Sequence, residues 1–279
     1  MSLAVSMAVL LAALLHAGWN AMIKGGGDVL HDTAGIIVGA MLIGLPFVFV
    51  VPVPPAAAWP FIVASVTVHL AYYWLMISAY RVGDLSLVYP LMRGVAPLIT
   101  ALAGVAVLGE MPAPVAWLGM LLVSGGVFLL GYRALGHAPS RGAVVFALAN
   151  AAVIALYTLI DGHGARVSGN AWSYIVWLFV LDGIPFSLWM LARRRASFIA
   201  YLRRRRLRAL AGGGLSAAAY AISVWAMTKA PVALVASLRE TSVLFAALIG
   251  ARLLGERLSA RRWSGVAVVV LGVLALKAA

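Results

Sequence analysis

Four ionisable side chains sit well inside apolar runs of this chain: Arg93, Asp182, Arg239 and Glu240. A charge in hydrocarbon costs at least ~2.5 kcal/mol, so such groups face a bundle interior or a wet cavity and seek partners there. Two chemistries fit them. They can tie helices together as ion pairs, Arg93 with Asp182 or Glu240, or they can receive the charged end of a ligand, a carboxylate suiting either guanidinium as a bidentate partner. Aromatic residues supply the complementary apolar surface. His69, Tyr73, Met76 and Tyr80 fall on one helical stripe, and Ser216, Tyr220, Ser223 and Met227 fall on another. The expected site has Arg93 and Arg239 as its polar end, with Trp19, Asn20, Tyr73, Trp74, Tyr157, Trp177 and Tyr220 as its walls. Asp182, Glu240 and His16 are the charge partners or coupling candidates. The competing readings are structural ion pairs, ordinary packing and, for Trp59 and Trp172, anchoring at the membrane interface.

The two arginines are linked by an internal repeat. Residues 93–110 reappear as 239–256, pairing Arg93 with Arg239, Gly104 with Gly250, and Leu108, Gly109, Glu110 with Leu254, Gly255, Glu256. The register continues through Trp117 and Gly119 to Trp263 and Gly265, and through Gly126 and Val127 to Gly272 and Val273. Residues 1–135 and 141–279 therefore read as two copies of one unit, joined at 136–140, where Gly136, His137, Ala138, Pro139 and Ser140 form a turn-like string. Pro90 and Pro97 interrupt the first copy beside Arg93. Pro97 would release the Arg93 carbonyl from its helical partner, making the pair candidates for a gating bend as well as for a static kink. Their counterparts, Ala236 and Val243, carry no such signal.

Composition places these units in a membrane. Hydrophobic residues make up 64% of the 279 and charged residues 10%, and the mean hydropathy is +1.04, beyond what a soluble core needs. Apolar runs near the ~20 residues of a membrane helix occur ten times, at roughly 3–23, 33–52, 59–80, 86–108, 113–132, 142–161, 172–192, 209–228, 232–254 and 260–277. Their apolarity is continuous rather than alternating, which favours helices over barrel strands. The reading is an all-α polytopic membrane protein, ten transmembrane helices in two inverted five-helix repeats around a central cavity. The net charge of +13 is concentrated: eight arginines (Arg193, Arg194, Arg195, Arg203, Arg204, Arg205, Arg206, Arg208) occupy the connection between the seventh and eighth runs. That connection reads as a cytoplasmic loop held against anionic lipid, not as a nucleic-acid surface, and it puts both termini outside the cytoplasm.

Ten spans in two halves, each with Leu-Gly-Glu followed by Trp-x-Gly and a later Gly-Val, resemble the EamA family of the drug/metabolite transporter superfamily. Within it, the chain is similar to bacterial amino acid exporters of the YddG type. The resemblance implies a basket of helices around a cavity open alternately to either side, and export of hydrophobic or aromatic amino acids. It also implies cytoplasmic termini, opposite to the charge bias, which is followed here. Other organic anions or drug-like solutes are the alternative substrates, and an integral membrane enzyme is the more distant alternative. No P-loop, GxSxG, HExxH or metal-ligating cluster is present, so neither a cofactor nor a metal is expected. The expected partners are a small-molecule substrate and lipid, the setting a bacterial inner membrane, and a monomer suffices. Glu110 and Glu256 read as capping or ion-pair residues, and the spacing of Gly35 and Gly39 as internal helix packing. Gly25, Gly26, Gly27, Asp28 matches an aspartyl-protease string by accident.

Overall fold

A bilayer offers a backbone no partner but itself, so long apolar runs with short connections are driven into helix. The structure, a computed structural model, describes residues 1–83, 85–131, 140–254 and 259–279, with backbone alone at 24, 85–87, 131, 250–254 and 261. Residues 132–139, which include 136–139 of the expected joint, and Gly255 with Glu256 of the second Leu-Gly-Glu, lie outside the described residues. In chain order the helices are α1 (Leu3–Lys24), α2 (Val29–Gly44), α3 (Trp59–Val82), α4 (Leu85–Leu108), α5 (Pro114–Gly131), α6 (Arg141–Val167), α7 (Ala171–Met227), α8 (Val232–Arg239), α9 (Ser242–Leu254) and α10 (Ala260–Ala278). No strand occurs among the described residues. Seven helical segments among them are long and apolar enough to cross a membrane, and α5 is a shorter apolar helix.

Polar residues at the starts satisfy the first free N–H groups. Asp28 Oδ1 accepts from Leu30 and His31 N–H, each at 3.1 Å, so the acid of the protease-like string is a helix cap. Asn170 does the same for α7, accepting from Trp172 and Ser173. Outward faces remain apolar, as lipid contact requires. Leu3, Met7, Leu11 and Leu14 form one exposed stripe along α1.

Two elements depart from the sequence reading. The arginine-rich connection is helical rather than a loop. The chain runs through it as part of the 57-residue α7, with non-helical backbone only at Arg194 (φ −141°, ψ 30°) and Arg205 (φ −118°, ψ 22°). Arg, Leu and Ala are good helix formers, so nothing in this segment stops the helix. It bends twice and returns, giving a first arm (171–193), a link (195–204) and a second arm (206–227). The second departure concerns the proline pair. Helix α4 is continuous through Pro90 and Pro97, whereas its proline-free counterpart is broken into α8 and α9 at Glu240 and Thr241.

Packing is by close approach at small residues. Helix α2 lies along the second arm of α7, where Gly39 faces Ala209 and Gly213, and a Cβ on Gly35 would meet the Tyr201 ring at 2.7 Å. Helix α3 packs on α6, α1 on the second arm of α7, and α4 on α6. Helices α5 and α10 cross backbone to backbone. A Cβ on Gly119 would stand 3.0 Å from the Gly272 carbonyl, and one on Gly126 would stand 2.9 Å from that of Gly265. As the number rises along α5 it falls along α10, so the two run antiparallel.

Candidate functional site

Inside the bundle, α1, α2, α3, α6, both arms of α7 and α8 enclose a cavity of about 80 Å³. At its heart stands His69 on α3. Its ring centroid lies 4.4 Å from that of Tyr157, 5.8 Å from Tyr220, 6.2 Å from Tyr73 and 6.3 Å from Tyr72. The helical spacing of His69, Tyr73 and Met76 turns all three to the cavity, and Tyr220 with Ser216 meets them from the second arm of α7. His16 and Trp19, in edge contact at 4.9 Å, line it from α1.

Buried hydrogen bonds fix this wall. Asp161, fully buried on α6, accepts from Tyr174 Oη at 2.7 Å and from Tyr220 Oη, which holds the Tyr220 ring edge in place. Tyr73 Oη donates to Asp182 Oδ2 at 2.7 Å. Asp161 is a residue that sequence reasoning missed. The apolar run ends at it, while the helix continues to Val167 and the tyrosine hydroxyls satisfy its carboxylate.

The two repeat-related arginines have different circumstances. Arg93 Nε pairs with Glu240 Oε2 at 2.6 Å, with side chains 4% and 1% exposed, and Arg93 does not line the cavity. Arg239 does. It is 3% exposed, lies within 3.5 Å of Thr158 Oγ1, and places its guanidinium carbon 5.9 Å over the Tyr220 ring. No carboxylate among the described residues pairs with it, and its Nε has no hydrogen-bond partner. The repeat explains the difference. Glu240 follows Arg239 in sequence, and the matching position after Arg93 is Gly94, so Glu240 reaches across to Arg93 and nothing reaches back.

Arg239 is also where the ninth apolar run breaks. The break is a tight turn in which Glu240, Thr241, Val243 and Leu244 each donate to a carbonyl three residues back, at 3.0–3.2 Å, and Thr241 Oγ1 adds a bond to the Leu238 carbonyl at 2.7 Å. An interrupted helix deep in a bundle presents its polar backbone and Arg239 beside the cavity, a position in which broken helices are tolerated.

Other expected residues are placed elsewhere. Trp74 is 63% exposed, on the outer stripe of α3 with Val63 and Ala71, its ring 5.9 Å from Phe146. Adjacent helical positions diverge by about 100°; Tyr72 and Tyr73 share the cavity side of α3, which leaves Trp74 turned outward. Trp177 packs edge-on to Trp59 at 5.5 Å and does not line the cavity. Asn20 donates to the His16 carbonyl at 2.8 Å, within its own helix. Pro90 and Pro97 lie inside an unbroken α4. Tyr72, Thr33 and Phe179 join the lining without having been singled out.

At one end of the bundle a polar clasp closes the structure. Glu110 follows Gly109, whose φ of +66° ends the first Leu-Gly-Glu in the left-handed conformation that glycine favours. Its Oε1 accepts from Arg166 Nη2 at 2.8 Å, and its Oε2 accepts from Val232 N–H at 2.8 Å, capping α8. Arg166 also donates to the carbonyls of Met227 and Ala230. The cavity runs toward the opposite end, where it is lined by Ile23 and Thr33.

An all-helical bundle of apolar segments around an aromatic cavity with a buried cation is the architecture of a polytopic membrane transporter. Comparison with known proteins agrees. A family model described as the EamA-like transporter family matches residues 3–132 and 141–277, and the chain belongs to that family. It is similar to an uncharacterized transporter, YwfM, of Bacillus subtilis (strain 168), 27% identical over 223 residues that span 80% of this chain and 74% of the relative. It is also similar in fold to a solved chain described only as a crystal structure of a protein, with TM-score 0.76 at 18% identity, covering 99% of this chain and 96% of the other.

Proposed function

We propose that this chain is a secondary transporter that moves small amphipathic carboxylates, foremost amino acids with large apolar or aromatic side chains, by alternating access to the aromatic cavity. The observation that carries this reading is Arg239: a buried guanidinium with no carboxylate partner among the described residues, lining a cavity walled by Trp19, Tyr72, Tyr73, Tyr157 and Tyr220. Burying a charge without a counter-charge is costly, and a substrate carboxylate offsets that cost while its apolar side chain fills the rings. Export, rather than uptake, rests on the family resemblance alone.

The inverted arrangement of the halves is part of the same reading. In the repeat register Gly119 matches Gly265 and Gly126 matches Gly272. Exchange of the halves therefore turns the Gly119 and Gly272 contact into that of Gly265 and Gly126, as a twofold axis between antiparallel α5 and α10 requires. The arginine-rich link then lies at the cytoplasmic surface against anionic lipid, with both termini on the other side.

The test is exchange in reconstituted liposomes preloaded with phenylalanine, methionine or threonine. Wild-type protein should support saturable, protein-dependent exchange of phenylalanine and methionine over threonine. Arg239→Gln should raise KM about tenfold or more, the scale of one lost charge-assisted bond. Unchanged KM in a folded Arg239→Gln protein removes the arginine from the site. Absence of flux for every amino acid in correctly inserted protein refutes the substrate class.

A further inference from the structure

Asp182 is the second charge in the cavity wall, and its surroundings differ from those of every other described carboxylate in the bundle. Asp32 has Arg208 at 3.4 Å and Tyr201. Glu110 has Arg166, Glu240 has Arg93, and Asp161 has two tyrosine hydroxyls without lining the cavity. Asp182 is 8% exposed and lines the cavity. No Arg or Lys pairs with it among the described residues, one hydroxyl is bonded to Oδ2, and Oδ1 has no hydrogen-bond partner.

The elements around it supply no Arg or Lys partner among the described residues. Helix α3 presents Tyr72, Tyr73 and His69, whose Nδ1 stands 3.7 Å from Asp182 Oδ1 and is shared with Ser65 Oγ at 3.2 Å. Helix α2 packs Met41 against the adjacent Gly183. Helix α6 contributes Tyr157 and, behind it, Asp161; the second arm of α7 contributes Tyr220; α1 contributes His16; and α8 contributes Arg239, behind the Tyr220 ring. A carboxylate this enclosed is neutralised either by a permanent cation or by something that comes and goes through the cavity. Among the described residues no permanent cation touches it.

We propose that Asp182 is the proton-carrying group of the transport cycle, coupling movement of solute through the cavity to a proton gradient. In one leg an O–H bond forms at Oδ1 as a hydronium ion in the cavity gives up its proton and leaves as water. In the other leg that bond breaks and the proton returns to water on the opposite side. Tyr73, bonded to Oδ2, orients the carboxyl so that Oδ1 faces His69. The coupling role rests on the transport reading above, whereas the titration of Asp182 does not.

Two measurements keep the claims apart. Infrared difference spectra of the purified full-length protein, taken without ligand across neutral pH, should contain a protonated-carboxyl band that vanishes as pH rises and is absent from Asp182→Asn. If the wild-type and Asp182→Asn spectra titrate identically, the proposal is overturned whatever the substrate is. In liposomes, phenylalanine exchange should vary about tenfold with pH in wild type, with the midpoint moved in Asp182→Glu and the dependence flat in Asp182→Asn. A profile unchanged by both substitutions overturns the proposal. A titrating Asp182 in protein that moves no amino acid counts against the substrate class and leaves the proton site standing.

Discussion

The two arginines show how one neighbouring residue decides what a charge is for. Arg93 is neutralised by Glu240 inside the protein, and breaking such a buried pair from one side leaves the other charge stranded at a cost of about 3–5 kcal/mol. Arg93→Gln should therefore lower the thermal stability and the yield of inserted protein. Arg93→Gln combined with Glu240→Gln should recover much of the loss, because two neutral amides replace two charges. Equal damage from the single and double substitutions in a thermal unfolding assay would refute the pairing. The sequence made both arginines visible and even their equivalence, but not the inequality. That depends on Glu240 reaching across to the first repeat, and a side-chain direction is not written in spacing. Trp74 is the opposite case. Periodicity reveals that Tyr73 and Trp74 face different ways, and His69 on the Tyr73 stripe marks the inward face, so Trp74 was the ring to leave outside.

Elements were legible wherever composition alone determines them. Apolar runs became helices because hydrocarbon permits little else, although the seventh and eighth joined into α7 and the ninth split into α8 and α9, and Asp28 and Asn170 stand at helix starts as their types foretell. Interruptions were not legible. Pro90 and Pro97 lie inside an α4 that stays helical throughout. The break fell instead between α8 and α9, where Thr241 and the short-range backbone bonds at Glu240 stabilise a tight turn without any proline. The crossing of α5 and α10 can be tested directly. A methyl at Gly126 would meet the Val269 nitrogen at 2.8 Å and the Gly265 carbonyl at 2.9 Å, whereas Gly125 has open space. Gly126→Ala should destabilise the purified protein by about 1–3 kcal/mol, while Gly125→Ala is neutral or mildly stabilising; comparable melting of both variants would count against this crossing.

For the whole molecule, the positive charge at one end is the strongest statement about orientation. The link arginines, Arg81 and Arg141 lie at the end opposite Glu110, Lys229 and both termini. A single cysteine introduced after Lys277, in a chain that has none, should react with an impermeant reagent in intact cells. Labelling only after the cells are broken open would reverse the orientation. A last consequence follows from the unmatched pair of Glu240 and Gly94. Two-sided carriers built from equivalent halves have two end states of equal energy when the halves are identical, and a single unshared carboxylate beside the centre removes that degeneracy. Under the proposed alternating access, the empty carrier should therefore rest with one mouth favoured, and each 1.4 kcal/mol of imbalance shifts that occupancy tenfold. In such a carrier, solute presented from the disfavoured face waits for a rarer conformer, so apparent affinity differs between the two sides of the membrane even where the contacts made with the solute are the same.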